Sequence, residues 1–414
     1  MILVKSYNLV FTALAAVTCL FSGCKQPAVL ALDPIAVYLT WQRSPDTTMT
    51  VQWIAPPSEN ETKVEYRLEG EDLWLETAGK HHPLPQDHEE QHVHVVELTD
   101  LSPDTIYQFR IAGKQREYKF RTMPSHLEGS IRFVIGGDMY HETVDILQTA
   151  NERAAKTNPH FGVAGGDLAY ASTRLVNGTE DYVRWMEFIH RWSEDMVTED
   201  GLMIPILAVI GNHDVNGRYG QPIDSAKFYY SMFTMPKGYN VLDFGDYLSL
   251  IMLDTDHTHP VDGEQAEWLH STLAERQSFP HKIAAYHVPA WPSVRNFNGK
   301  HNPLIREKWV PLFEEFGVNL CFEHHEHAFK RTHPIKQGKI DPTGVVYVGD
   351  GAWGCTPRAP HTPEERWYLA KSRQAQHVLV VDISPEGREV TAIDVPTGQV
   401  IDQFQQTLEP ALAH

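Results

Sequence analysis

Between positions 131 and 383 the chain repeats one pattern, an apolar run followed at five places by a block of glycine and metal-ligating side chains. The blocks are 136–139 (GGDM), 165–170 (GGDLAY), 211–214 (GNHD), 284–289 (AAYHVP) and 324–327 (HHEH). A run that is apolar at nearly every position reads as a strand covered on both faces. Such runs stand at 131–135, 161–164, 204–210, 247–253, 282–287, 318–322, 345–348 and 377–383. Helical periodicity fills the intervals near 142–155, 180–194, 263–276 and 303–316. Buried strands alternating with helices predict a layered α/β domain over 129–408, a β-sheet core flanked by helices. Late strands at 379–382 and 389–395 complete a sheet.

The preceding segment, 35–123, has a different texture. Short apolar runs at 36–41, 49–54, 63–68, 92–98, 105–111 and 118–121 are separated by turns such as Ser44-Pro45-Asp46 and Ser102-Pro103-Asp104. Even spacing with turn signals predicts an all-β antiparallel sandwich, fibronectin-III-like in pattern. Trp53 is placed as a core tryptophan, and 101–107 leads into a tyrosine corner at Tyr107. No catalytic cluster falls here. His81, His82, His88, His92 and His94 are expected on its surface.

Two domains suit a chain of 414 residues. The formal net charge of −19 argues against nucleic acid as a partner, because that affinity comes from Lys and Arg on phosphates. A small phosphorylated substrate stays compatible, since bound metal ions invert the local potential. Residues 1–23 read as an export leader, with Lys5 ahead of an apolar stretch at 9–20 that is short for a bilayer span. It ends in Phe21-Ser22-Gly23-Cys24, which resembles a bacterial lipoprotein box with Cys24 as the lipidated residue. An ordinary cleaved secretory peptide is the alternative. Either way the mature protein is expected outside the cytosol, periplasmic or on the cell surface. A linker covers 24–34, and membrane contact is expected only through the N-terminal lipid. Cys321 and Cys355 are expected as buried free thiols, with a disulfide as the alternative.

The blocks follow strands, and loops at the carboxyl ends of strands in α/β sheets form a ligand crevice. Residues far apart in sequence can therefore converge. Their side chains sort into two sets. Asp138, Tyr170 and His327 form a hard, anionic set in which a tyrosinate suits Fe(III). Asn212, His287 and His325 form a neutral set suited to divalent Zn, Fe or Mn. Asp167 can bridge the two ions at about 3.5–4 Å, the spacing of two-metal hydrolases.

These blocks resemble the purple acid phosphatase branch of the calcineurin-like metallophosphoesterases. The carriers are the tyrosine in GDLAY, the GNHD block, the lone His287 after a strand and the His325/His327 pair. The stretches 311–320 and 329–332 are similar to those flanking the last histidine pair in that family. The resemblance implies Fe(III) on Asp138, Asp167, Tyr170 and His327. It implies a divalent ion on Asp167, Asn212, His287 and His325. It also implies that His213 contacts the phosphoryl group or protonates the leaving group. The expected activity is phosphomonoester hydrolysis by a metal-activated hydroxide. The alternatives are a phosphodiesterase using the same site and a non-catalytic surface-binding protein.

Two positions depart from the family. His324 stands where glycine is usual, so it must fit another local geometry or accept strain; a register with His324 replacing His325 as ligand is the alternative. The first block reads Asp138-Met139-Tyr140, and His141 is close enough to compete in the assignment. Trp291, Arg295 and His301 follow His287 on a loop that would overhang the site, and are expected substrate contacts. His257 and His259 are expected in a solvated loop, with metal binding as the alternative. Asp350 is expected on the rim in a supporting role, and Asp254 finds no ligand slot.

Overall fold

Half-exposed and buried residues alternate along Ile106–Ile111, as a strand with one face on a core requires. Seven further strands share this N-terminal part of the chain. Ala36–Thr40, Met49–Ala55, His92–Leu98 and Lys80–Pro83 form one antiparallel sheet in that order. Leu75–Ala78, Lys63–Leu68, Ile106–Ile111 and Tyr118–Arg121 form the other. The computed structural model describes residues 27–57, 62–85, 88–173, 180–349 and 351–408. The leader, Cys24 and Asp350 lie outside the described residues. Trp53 is buried in the sandwich, and the Tyr107 hydroxyl accepts the Ser102 N–H at 2.9 Å, closing the tyrosine corner.

The surface expectation for the sandwich histidines fails at His94, while His82 and His88 stay partly exposed but touch the second domain. His94 is buried, stacks on Trp53 at 4.8 Å and lies 2.8 Å from the Thr62 hydroxyl. His88 stacks on Tyr182, and His82 Nε2 reaches the Ser231 carbonyl at 3.0 Å. Both contacts join the sandwich to the second domain, which a one-sequence reading of polar residues does not see.

The second domain is two sheets pressed face to face with helices outside. The first sheet runs Ile206–Val209, Phe161–Gly165, Ile131–Gly136, His377–Ser384, Gly387–Asp394, Val400–Thr407. The second runs Asn240–Phe244, Leu248–Leu253, His281–Tyr286, Leu320–Glu323, Val346–Gly349, Phe329–Thr332, Leu369–Arg373. Alternate side chains of each strand serve different layers. Phe133, Ile135 and Val163 meet Ile283, Ala285 and Phe322 between the sheets. Val134, Ala164 and Ile206 face outward onto the helices Val144–Ala155 and Tyr182–Asp195. Ile251, Ala284 and Tyr286 face outward onto Glu264–Glu275, Asn302–Lys308 and Val310–Phe316. This two-faced burial is why the strands read as unbroken apolar runs.

Where one helix was expected at 303–316 there are two, meeting at Trp309. Pro311 explains the break: it has no N–H to donate, and its ring crowds the carbonyl four residues earlier. The helix Lys227–Phe233 and the strands Asn240–Phe244, Phe329–Thr332, Leu369–Arg373 and Val400–Thr407 were not expected. Cys321 and Cys355 are buried free thiols. Among the described residues no helix is long and apolar enough to cross a membrane.

The two domains share a core. Trp41 of the sandwich meets Phe161 and Phe244 edge-on at 6.0 and 5.8 Å. The Tyr38 hydroxyl donates to the Met232 carbonyl at 2.8 Å, and the Val37 N–H to Ser193 Oγ at 3.1 Å.

Candidate metal centre

The parallel strands Ile131–Gly136 and Phe161–Gly165 stay laced after they end. The N–H groups of Asp138, Met139 and Tyr140 donate to the carbonyls of Gly166, Asp167 and Leu168 at 2.9, 2.9 and 3.0 Å. The second sheet delivers His287 from the end of His281–Tyr286, and His324–His327 from the end of Leu320–Glu323. The His324 N–H donates to the His287 carbonyl at 2.9 Å. All five blocks thus meet where the two sheets present their carboxyl ends.

The turns are tight. Asp138, Asp167, Tyr170, His325 and His327 take positive φ of 57°, 55°, 53°, 78° and 59°. Non-glycine residues rarely adopt this region, at roughly 1–3 kcal/mol each, and such strain collects at functional sites. At Gly211 a Cβ would lie 2.2 Å from the Asp167 nitrogen, so only glycine lets the second and third loops touch.

Two clusters result. In the first, the Tyr170 hydroxyl donates to Asp138 Oδ1 at 2.8 Å, with His327 Nε2 3.1 Å from that hydroxyl and 2.9 Å from Asp138 Oδ1. In the second, His287 Nε2 lies 3.2 Å from Asp167 Oδ2 and 3.2 Å from His325 Nδ1. The other ring nitrogen of His287 is 3.0 Å from the Gly165 carbonyl, to which it donates. Asn212 is buried beside them, its Oδ1 accepting the Tyr219 hydroxyl at 3.2 Å. The clusters are joined, because the His325 N–H donates to Asp138 Oδ2 at 2.8 Å.

The donor set fits a cation. The ligating atoms of Asp167, His287 and His325 all lie within 4.8 Å of one another. Asp167 Oδ2 is buried yet makes no hydrogen bond of good geometry, an orphaned acceptor that demands positive charge. Burial opposes ionisation of Asp167, but His287 and His213 hold it well below the usual carboxylate range. Burial would lower His287, but the Asp167 carboxylate holds it up at about 9. His325 goes the other way, pushed well down by burial and by His287. Burial and the Asp138 carboxylate push the Tyr170 phenol well up. The protein alone therefore keeps Tyr170 protonated, and a hard cation would reverse that preference.

His213 donates its N–H to Asp167 Oδ1 at 2.6 Å and stacks its ring on Tyr170 at 4.6 Å. The ring is partly exposed, with Nε2 3.9 Å from Asp167 Oδ2. Arg295 is close by, its guanidinium donating to the His325 carbonyl at 2.6 Å and to Glu326 at 2.8 Å. His301 stacks on Tyr219 at 4.3 Å, and its Nδ1 is 3.3 Å from Asp256. The Trp291 ring instead packs against Phe297, Tyr347, Trp367 and Tyr368, none of them a candidate ligand. His141 pairs with Glu142 at 3.0 Å and meets the Tyr170 ring edge-on at 4.7 Å. Tyr140 is turned away, donating to Glu187 at 2.6 Å. His257 is fully buried rather than solvated, because Asp254 gathers the N–H groups of His257, Thr258 and His259 into a closed loop.

His324 does not replace His325. Its imidazole is buried over Gly137 and Gly165, where a Cβ on Gly165 would lie 2.0 Å from its Nε2. The positive φ falls on His325 instead. Burial and the neighbouring His287 lower the His324 pKa to about 3, so the ring is neutral.

Three carboxylates were missed as braces. Asp214 accepts the N–H groups of Asp167, Leu168 and Gly211 at 2.9, 2.7 and 2.8 Å. Its position in the GNHD block was a usable signal. Glu326, between the paired histidines, accepts the N–H of Val294 at 2.7 Å and of Arg295 at 2.5 Å. Glu323 accepts the Tyr286 hydroxyl at 2.7 Å and the Ala290 N–H at 2.6 Å, with Lys330 on its other oxygen. Neither glutamate announces itself in sequence.

Comparison with known proteins agrees with this geometry. The family description "Purple acid Phosphatase, N-terminal domain" matches residues 34–122, and "Calcineurin-like phosphoesterase" matches 131–329. Purple acid phosphatase 15 of Arabidopsis thaliana is 26% identical over 294 residues, covering 63% of this chain and 53% of that protein. Probable purple acid phosphatase 20 of the same plant is 28% identical over 276 residues, covering 62% and 60%. The chain thus matches little more than half the length of these relatives. Among solved structures, purple acid phosphatase PPD1 from yellow lupin (Lupinus luteus) seeds superimposes with a TM-score of 0.74 at 18% identity, covering 91% of this chain and 74% of that one. PhoD superimposes at 0.63 with 13% identity, covering 90% and 88%. These two likenesses speak for the fold. With both family descriptions matched in order along the sequence, the chain belongs to the calcineurin-like phosphoesterases as a purple acid phosphatase-like member.

Proposed function

We propose that the chain is a binuclear metal-dependent phosphomonoesterase acting outside the cytosol. The observation that carries this is the placement of Asp167. Its Oδ2 faces His287 and His325, while the Asp138–Tyr170–His327 cluster adjoins through the His325 N–H. Asp138, Asp167, Tyr170 and His327 would hold Fe(III), and Asp167, Asn212, His287 and His325 a divalent Zn, Fe or Mn ion. When bound, such a pair supplies Lewis acidity toward phosphoryl oxygens and a water of lowered pKa.

The chain's own groups do the rest. His213 presents a ring nitrogen at the open side of the site, positioned to pass a proton to a departing alkoxide. Arg295 sits with one edge fixed by Glu326 and the His325 carbonyl, so its charge is available to phosphoryl oxygens without reorganisation. Tyr219 and His301, stacked on each other, bound the pocket on the Asn212 side. The export leader at 1–23 and lipidation of Cys24 set the extracytoplasmic location.

The test is hydrolysis of an aryl phosphate by the purified chain, with Asp167→Ala and Asn212→Ala beside it. Loss of turnover in both variants is expected. Undiminished turnover in both would refute the reading, and the ratio of mono- to diester kcat/KM decides the substrate class.

A further inference from the structure

In a chain of formal net charge −19, the rim of the metal centre carries a cation that no carboxylate among the described residues answers. Arg218 lies on the loop that follows the GNHD block. It is exposed, and among the described residues its guanidinium makes no hydrogen bond or ion pair. The neighbouring charges of the rim are engaged. Glu326 faces Arg295 at 2.8 Å, and Asp256 meets His301 at 3.3 Å and feels the Lys300 charge. Asp138 and Asp167 belong to the metal centre itself.

The backbone under Arg218 is fixed on both sides. Its N–H donates to the Val215 carbonyl at 3.1 Å, and its own carbonyl accepts His257 Nδ1 at 3.2 Å. Just beyond, the Gly220 and Gln221 N–H groups donate to the carbonyls of Asp256 and His257 at 2.7 and 3.0 Å. Arg218 takes a φ of 71°, a conformation that costs a non-glycine residue energy and that collects where a loop positions a functional side chain. The charge is felt inside the site. Burial lowers the His213 pKa against the pull of Asp167, and Arg218 lowers it further. Burial and Asp167 push the Tyr219 phenol up, while Arg295 and Arg218 pull it down. The Tyr219 hydroxyl in turn donates to Asn212 Oδ1 at 3.2 Å. Arg218 therefore stands on the His213 side of the rim, where the proposed reaction sends its leaving group. One phosphoryl dianion held by the metals and Arg295 leaves Arg218 over.

We propose that Arg218 is a specificity-determining residue for phosphomonoesters whose leaving group carries a second phosphoryl group, and that it binds this distal group outside His213. The inference rests on the hydrolase reading and names its substrate class. A guanidinium fork matches two oxygens of a phosphoryl group. A cation at the mouth of the site also draws a doubly phosphorylated molecule toward a surface that is otherwise acidic.

The experiment compares glycerol 1-phosphate with glycerol 1,3-bisphosphate at constant ionic strength, using the purified full chain, Arg218→Met and Arg218→Lys. Both substrates break the same kind of ester bond, and rates are taken per scissile bond. Wild type should favour the bisphosphate in kcat/KM by about tenfold, the worth of one charge-assisted contact at an open site. Arg218→Met should lose most of that preference, and Arg218→Lys, which keeps the charge but not the fork, should retain part of it. Calorimetric titration with propylphosphonate and propane-1,3-diylbisphosphonate, which are not hydrolysed, should give the same order in Kd. Any chelation of metal by the bisphosphonate is common to all three proteins. Equal ratios of bis- to mono-compound in wild type and Arg218→Met would overturn the proposal. Should wild type hydrolyse neither ester, the hydrolase reading fails, and the phosphonate ratios decide the distal site alone.

Discussion

Glu326 holds Arg295 twice, accepting its backbone N–H at 2.5 Å and its guanidinium at 2.8 Å. Glu326 is buried between the two histidines that face the metal centre, so one carboxylate fixes both the paired-histidine turn and the loop after His287. Glu326→Ala removes the acceptor of two part-buried N–H groups and of a guanidinium that is itself 40% exposed, a loss of about 1–3 kcal/mol. The expected result is a lower Tm and a KM for aryl phosphate raised more than kcat is lowered. A variant with unchanged Tm and KM would show that the loop is held some other way.

Tyr170 would report a bound Fe(III) directly. Its hydroxyl is 2.8 Å from Asp138 and 3.1 Å from His327, so a trivalent ion between them would be bound by tyrosinate. The oxidised protein should then carry a visible charge-transfer band, and Tyr170→Phe should lose it. Absorbance together with metal analysis checks this; a band that survives the substitution rules out Tyr170 as its source.

His213 sets a pH dependence with a definite sign. Burial lowers its pKa below the ordinary histidine value. The ring is therefore neutral near pH 7 and gains its proton only as pH falls, so a proton donor is present on the acid side and lost as pH rises. The kcat profile should decline on the alkaline side of a pKa below the usual histidine range. His213→Ala should lower kcat by about 10²–10⁴-fold and remove that limb.

Gly165 and His324 are matched by shape. A Cβ at position 165 would sit 2.0 Å from His324 Nε2. Gly165→Ala should therefore lose most metal content and several degrees of Tm. The pair Gly165→Ala with His324→Gly should recover a large part of both. A double variant as damaged as the single one would mean that the clash is not the cause.

Glu180 makes stability fall with rising pH. Burial raises its pKa from 4.5 to about 8, the Asp214 charge adding to the rise against smaller opposing contacts from the Phe228 backbone and Trp185. The folded state binds the proton more tightly than the unfolded one, so the contribution is whole below about 4.5 and is lost as pH climbs through about 8. Glu180→Gln should unfold at the same temperature as wild type near pH 4.5 and at a higher one near pH 8.5. Parallel Tm curves across that range would contradict the assignment.

Much of this was readable from residue order. Strands buried on both faces leave unbroken apolar runs, so 131–135, 282–287 and 377–383 were placed within a residue or two. The ligand blocks were readable because each sits at a strand end, where sheet topology leaves few places to go. Lys80–Pro83 and Leu369–Arg373 left no signal, since their side chains are mostly exposed and carry no alternation. His257 misled because polarity was taken for solvation, whereas Asp254 gathers its loop inward. Glu323 and Glu326 stayed hidden because a brace is defined by the backbone groups it meets in space.

The Trp41 ring, set edge-on against the stacked Phe161–Phe244 pair, makes the sandwich a lid on the second domain's own floor. Cutting the chain between the two modules would not release a self-sufficient enzyme. It would uncover an aromatic face that water shuns, and the isolated catalytic half would stick to itself before it could turn over substrate.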